Sequence, residues 1–328
     1  MSTEALPLRL LPETAQLEVV KRFDGFSLIA FSFTSTKSKV QVQSLNWKTA
    51  KLYVAVKGTL LTIFIDIDHR RRVYERDYVT IVPDHIVIDG QYRWEHLGLS
   101  FNQIFQHVQS LFKHVKEYAL YAIMTEVFDT RAIRNLAPIW SYLKINYLSS
   151  EYILRLIDLF LQNVNGLIFW STPDERLPQR IHIQNFHELV LSSSHQPSLD
   201  DVLIMTSRDI TIWDWTVKDG NRLIRSWIRG SNPRMRIANI NLKSFDLNVQ
   251  GLLKGIQHQI LQEEVLKQMA RNVVEDTKDA VDAQRYGLNR EYRRVVIRNN
   301  KGISAVVSMH TYREDHLSAN FWIHVEKS

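Results

Sequence analysis

Two aspartates two residues apart, Asp66 and Asp68, followed at once by His69, are spaced for acid–base or metal chemistry. Positions two apart on a strand face the same side, so such a pair could share a proton or a cation. The residues equally suit a solvated hairpin end, and that account needs no ligand. His182, His187 and His195 could converge, but no His-Glu-x-x-His spacing and no Gly-x-Ser-x-Gly turn accompanies them. No glycine-rich phosphate loop of either common type occurs. Trp213-Asp214-Trp215 could form an aromatic slot; on a strand the simpler expectation is two tryptophans on one face flanking an aspartate on the other. Arg70, Arg71 and Arg72 could meet phosphate, yet three charges beside a turn are ordinarily solvated. The sequence therefore predicts no catalytic residue, no metal site and no cofactor.

Composition sharpens the exclusions. The 328 residues contain no cysteine, so disulfides, thiol nucleophiles and cysteine-held zinc are ruled out. Hydrophobic residues make up 45% and charged residues 23%, values ordinary for a folded globular chain. The net charge of +6 is spread along the chain and does not require nucleic acid. No apolar run is long enough for a membrane span. No basic-then-apolar leader opens the chain, since Glu4 and Glu13 sit where its apolar part would be.

The elements that would position any site fall into zones. From Pro7 to Leu45 the pattern reads as three short helices. Pro12 suits a first helical turn. Ala15, Val19 and Phe23 recur four apart beside Leu17 and Val20. Asp24-Gly25 breaks the run; Ser27 is expected to cap a second helix and Ser35 a third. A β section follows, with two strands in 51–68 broken at Lys57-Gly58, then strand material in 78–88 and 91–97, expected as an antiparallel meander. From Asn102 the period becomes helical (Ile104, Val108, Leu111, Phe112, Val115), and helices then alternate with strands. Helices are expected over 131–143, 151–163, 198–205 and 219–229. Strands are expected over 118–124, 144–148, 166–170, 180–183, 189–191, 209–215 and 235–242. Such alternation predicts parallel pairing in an α/β arrangement, and its period suggests a leucine-rich-repeat-like stack. A helix over 247–267 and a polar stretch over 272–282 come next. The end is β again: 291–298, an Asn-Asn-Lys-Gly turn at 299–302, 303–309, and a last strand over 320–325.

Two stretches carry a resemblance. Residues 7–45 pair Pro7-Leu8 with Leu11-Pro12, then place Val19, Val20 and Asp24, then Leu28, Ile29 and Ser32, then Ser35, Lys37, Lys39, Ser44 and Leu45. This order resembles the nematode F-box pattern, with Gln16 where an aliphatic residue is usual. The block DGNRLIRSWIRGSNPRM at 219–235, with Asn221, Leu223, Trp227, Gly230, Ser231, Asn232, Pro233 and Arg234, is similar to the signature of the nematode F-box-associated domain, type 2. Its residues also make local sense: Leu223, Ile224, Trp227 and Ile228 share a helix face, Gly230 ends the helix left-handed, and Pro233 blocks its resumption. The closing hairpin, 292–310, and the aromatic strand, 321–325, look like the end of that domain.

The resemblance implies an F-box over 5–47 and a substrate-binding region over 51–328 containing the F-box-associated domain (about 180–328). It implies a non-catalytic, intracellular adaptor (cytoplasm or nucleus) of a Skp1–cullin–F-box ubiquitin ligase. Leu8, Leu11, Pro12, Leu17, Val20, Leu28 and Phe31 would dock a Skp1-like protein, some of them doubling as the small domain's core. A cullin would be reached through that protein. The sequence names no residue for the protein substrate beyond exposed aromatics. Two other readings stand beside this one. One is an interaction module that engages no Skp1. The other is a nucleic-acid or phospholigand binder using Arg70–Arg72, Arg222, Arg225, Arg229, Arg234 and Arg236.

Overall fold

The structure is a computed structural model that describes residues 8–47, 49–57, 60–67, 77–81, 85–88, 92–95, 98–123, 131–137, 139–171, 178–192, 197–242, 249–260, 291–311 and 319–325. The chain divides into two compact units, residues 1–164 and 165–328.

The first unit opens with a 3-10 turn, Leu8–Leu10, and three helices: α1 (Glu13–Val20), α2 (Gly25–Ser32) and α3 (Thr36–Ser44). Pro12 takes the N-cap of α1, where a missing N–H costs nothing. The cap of α2 is Asp24, whose carboxylate accepts from Ser27 N–H at 2.7 Å, so Ser27 is the capped residue and not the cap. Ser35 caps α3 as expected. Val20, Leu28, Ile29 and Val42 are buried. Gln16, at the position where the F-box pattern favours an aliphatic, is also buried and fully engaged. Its amide donates to the Leu11 carbonyl at 2.7 Å, and its oxygen accepts from Gln41 Nε2 on α3 at 2.8 Å. A satisfied polar pair thus stands in for part of an apolar seam.

Strands β1 (Thr49–Lys57), β2 (Leu60–Ile67), β3 (Asp77–Ile81), β4 (His85–Ile88) and β5 (Tyr92–Glu95) form the expected antiparallel meander. α4 (Phe101–Ser110) then crosses to β6 (Val115–Ile123), which pairs parallel with β1 and with β7 (Trp140–Asn146), giving the order β5-β4-β3-β2-β1-β6-β7. Ser100 and Gln103 close a capping box on α4. Among the described residues between β6 and β7, α5 (Arg131–Arg134) is the helical part, whereas the sequence suggested a helix to Leu143. Pro138 disfavours helix before it, and Trp140, Leu143 and Ile145 are buried as a strand instead. α6 (Ser150–Phe160) follows. An aromatic series runs Phe101, Phe105, Tyr118, Trp140, Phe160 with centroids 6.2–6.5 Å apart, and Trp140 and Phe160 are sealed completely. Each ring so buried contributes roughly 1.5–3 kcal/mol.

The N-terminal helices are seamed to α4 by His107. Its ring stacks on Phe33 at 4.1 Å, and its Nε2 lies 2.9 Å from Ser32 Oγ. The Ser32 hydroxyl donates to the Ile29 carbonyl, so it accepts from Nε2–H of a neutral imidazole.

In the second unit β8 (Val164–Ser171), β9 (Glu188–Leu191), β10 (Asp209–Trp215) and β11 (Ile237–Leu242) pair parallel in chain order. The helices α7 (Gln179–His182), α8 (Leu199–Ile204) and α9 (Val217–Ile228) lie between successive strands. The stretch 180–183, expected as strand, is α7: Pro178 supplies its N-cap and Ile181 its buried contact. Of the helix expected over 247–267, the described residues 249–260 hold α10 (Val249–Leu252), and Gly255 turns left-handed at φ +67 before β12 (Gln259–Ile260). Residues 261–290, including the polar stretch, lie outside the described residues. β13 (Glu291–Arg298), β14 (Ser304–Thr311) and β15 (Ala319–Val325) complete an antiparallel run, in the order β8-β9-β10-β11-β15-β14-β13-β12.

Two predictions follow from the first unit. Gln16→Ala should cost about 1–3 kcal/mol by orphaning Gln41 and the Leu11 carbonyl, while Gln16→Leu combined with Gln41→Leu, which removes both amides and leaves that carbonyl unpaired, should cost less; denaturant titration distinguishes the two. Burial lowers the His107 pKa from 6.5 to about 4, with Lys39 adding to the effect. The unfolded chain therefore binds this proton more readily than the folded one between those values. The stability it holds is present above pH 6.5 and is lost as pH falls toward 4. His107→Gln should flatten the pH dependence of unfolding in that window, and an unchanged slope would remove this residue as its source.

Candidate functional site

The signature block at 219–235 builds a helix and the turn that follows it, and most of its residues are committed to structure. Thr216 caps α9. Gly220 is required for packing: a Cβ there would stand 2.7 Å from Phe321 of β15 and 2.9 Å from Leu252 of α10. Asn221 Nδ2 donates to the Leu252 and Lys254 carbonyls at 2.7 and 3.1 Å, closing the end of α10. Arg225 donates to the same Lys254 carbonyl at 2.8 Å. Leu223, Ile224 and Trp227 are buried. At the C-terminus Gly230 is left-handed at φ +99. Its N–H reaches the Trp227 carbonyl and that of Ser231 reaches the Ser226 carbonyl, a Schellman closure. Asn300, from the β13–β14 turn, donates its N–H to Ile228 and Nδ2 to Arg229, so the hairpin tip finishes the cap. Asn232, buried and left-handed, donates to the Val202 and Met205 carbonyls at the end of α8.

The block leaves Arg222, Arg229, Pro233 and Arg234 exposed, and the last two line a cavity of 420 Å³ with Arg208 and Arg236. Its placement follows from the ladder. His187, Arg208 and Arg236 each precede a parallel strand at the same register level, since Glu188, Asp209 and Ile237 align. Backbone bonds fix them: Asp209 N–H to the His187 carbonyl at 2.9 Å, Arg236 N–H to Arg208 at 2.7 Å, and Val325 N–H to Arg236 at 2.8 Å. Asp209 lies among them, 3.7 Å from His187 Nδ1 and 3.8 Å from Arg208 Nε. Burial pushes its carboxyl pKa up, while His187, Arg208, His324 and Arg236 pull it back. The arrangement can bind an anion; nothing in it resembles a nucleophile with its base.

The opposite ends of the same strands are aromatic. Trp170 and Trp213 are exposed at aligned levels of β8 and β10, the pairs Phe169–Leu191 and Leu191–Ile212 fixing the row. The two tryptophans of Trp213-Asp214-Trp215 do not share a face as expected. Asp214 is left-handed at φ +61, the register slips between Ile212 and Trp215, and Trp215 is 4% exposed against 43% for Trp213. The Trp215 indole donates to the Pro197 carbonyl at 3.2 Å.

The remaining sequence candidates disperse. His182 is buried, its pKa lowered by that burial, with Nδ1 3.7 Å from Asp201, and His187 stands beside Asp209 and Arg208. His195, Asp68, His69 and Arg70–Arg72 lie outside the described residues. Among the described residues no group of acidic or histidine side chains could hold a metal, and no helix is long and apolar enough to cross a membrane. Arg222 on α9 and Arg229 at its C-cap are exposed, apart from the cavity lining. Of the docking set, Pro12 is exposed, Leu8, Leu11, Leu17 and Phe31 are half-buried, and Val20 and Leu28 are core. Sequence reasoning missed Leu10 and Val40, which are 77% and 57% exposed on these helices. It also missed Arg208, whose only signal was a basic residue just before a strand, repeated at Arg236.

Residues 177–240 match the family model described as F-box associated, a segment that includes α9, its turn and every cavity-lining residue. No curated protein and no solved structure matches the chain.

If the block is structural and the cavity is not, the two classes of variant should separate. Gly220→Ala and Asn232→Ala should each destabilise the fold by about 1–3 kcal/mol, through overpacking and orphaned carbonyls respectively. Arg234→Gln should leave the melting temperature within about a degree, as surface changes usually do. Differential scanning calorimetry of the three variants checks the contrast.

Proposed function

We propose that this protein is a non-catalytic substrate-recognition adaptor of a Skp1–cullin–F-box ubiquitin ligase, acting inside the cell in cytoplasm or nucleus. The observation that carries the reading is the F-box-associated match at 177–240, downstream of three short helices with an F-box-like sequence. On this reading residues 8–44 dock a Skp1-like protein through Leu8, Leu11, Pro12, Leu17 and Phe31, with Leu10 beside them. Val20 and Leu28 hold the helices together from within. The second unit holds a protein substrate, and its exposed Trp170 and Trp213 are anchors of the type that dominates interfaces. We read its helix–strand succession as a divergent leucine-rich-repeat-like stack. Ubiquitin transfer is then accelerated by effective concentration and orientation alone, so this chain needs no cofactor and no reactive side chain.

Purified full chain should capture a Skp1-like protein, and the Leu11→Ala, Pro12→Ala double variant should lose that capture while its α9–cavity unit stays folded. Equal capture by the folded double variant would remove the docking assignment.

A further inference from the structure

We propose that the cavity lined by Arg208, Pro233, Arg234 and Arg236 binds a phosphate monoester carried on a protein segment, and that this group marks what the second unit recognises. The inference rests on the adaptor reading for its biological sense, and on the cavity alone for its chemistry.

Three arginines line one opening. Arginine presents a planar fork of donors that meets oxyanions two bonds at a time, so three forks suit a group with several equivalent oxygens. Among the described residues, Asp209 is the carboxylate ion-paired within this group, and its Oδ1 receives no hydrogen bond. Arg208 is partly spent on Asp209 and on His187, whose Nε2 lies 3.4 Å away. Among the described residues the side chains of Arg234 and Arg236 make no hydrogen bond or close ion pair, although the Arg236 charge also acts on Asp209. Among the described residues, cationic charge therefore exceeds anionic charge at the opening.

The site is also built in advance. Arg208 and Arg236 stand on adjacent strands tied by a 2.7 Å backbone bond, and Arg234 follows the turn that Asn232 anchors to α8. Preorganised donors lose little on binding. A nucleic-acid track needs cations repeated along an extended path, because its affinity grows with each phosphate neutralised. Here the cations gather at one cavity, while Arg225 of the same signature is spent on the Lys254 carbonyl. A single phosphorylated side chain fits this better than a polymer backbone.

The test uses the full chain and its Arg234→Gln, Arg236→Gln double variant. A variant that removes the same charge elsewhere, Arg155→Gln with Arg222→Gln, serves as control. Probes are inorganic phosphate in a melting assay, and a degenerate phosphoserine peptide pool with its unphosphorylated and glutamate-substituted counterparts in a binding assay. Phosphate should raise the melting temperature of the wild type and of the control but not of the double variant. The phosphorylated pool should bind at least about tenfold more weakly to the double variant. Arg234→Lys, which keeps the charge and loses the fork, should fall between and covers the case in which the double variant does not fold. Absence of any effect of phosphate or phosphopeptide on the wild type would overturn the proposal. So would equal binding of the glutamate pool, or arginine-dependent binding of an oligonucleotide in place of the peptides. Capture of a Skp1-like protein by the same chain is read separately, so this proposal can fail while the adaptor reading stands.

Discussion

Parallel strand pairing is the constraint on which the second unit depends. Two parallel neighbours cannot be joined by a tight turn, so each step from β8 to β11 carries a helix or loop across the sheet and back. This has a consequence for chemistry. Every strand begins at one edge and ends at the other, so residues that precede successive strands are gathered without being near in sequence. His187, Arg208 and Arg236 are placed side by side in that way, His187 bonded to Asp209 N–H and Arg208 to Arg236 N–H. The far edge gathers Trp170 and Trp213 by the same logic. One sheet therefore offers a cationic edge and an aromatic edge.

The signature block is the device that lets this sheet end. After β11 the chain reverses into antiparallel pairing with β15, and α9 must be locked against both. Gly220 admits Phe321, Asn221 ties down α10, Gly230 and Asn300 close the helix, and Asn232 closes α8. A family signature that looks like a binding motif is here largely a set of carbonyl-satisfying and clearance positions. Of its exposed residues, Pro233 and Arg234 line the cavity, where binding chemistry is left over. In the first unit His107 and the Gln16–Gln41 pair have a comparable role, joining short helices that bury too little surface to stand unaided.

Much of this was legible in the sequence because local rules governed it. The Ser35 cap, the Gly230 stop, the meander and the 299–302 turn follow from residue preferences that act over four or five positions. The misreadings have local causes that apolar spacing does not show. The stretches 131–143 and 180–183 have patterns compatible with either period, and Pro138 and Pro178 decided them differently from the apolar spacing. The shared face assigned to Trp213 and Trp215 failed because a bulge at Asp214 changes the parity of the strand. The arginine cavity was only half visible: Arg234 and Arg236 could be suspected, whereas Arg208 joins them through strand order and register, which no local signal encodes.

The central claim is that the N-terminal helices serve a partner while the second unit is left free for a substrate. Hydrogen–deuterium exchange of the full chain, with and without a Skp1-like protein, tests it most directly. The account predicts slowed exchange within residues 8–44 and unchanged exchange across 178–242. Protection confined to 178–242, or none anywhere at saturating partner, would contradict it.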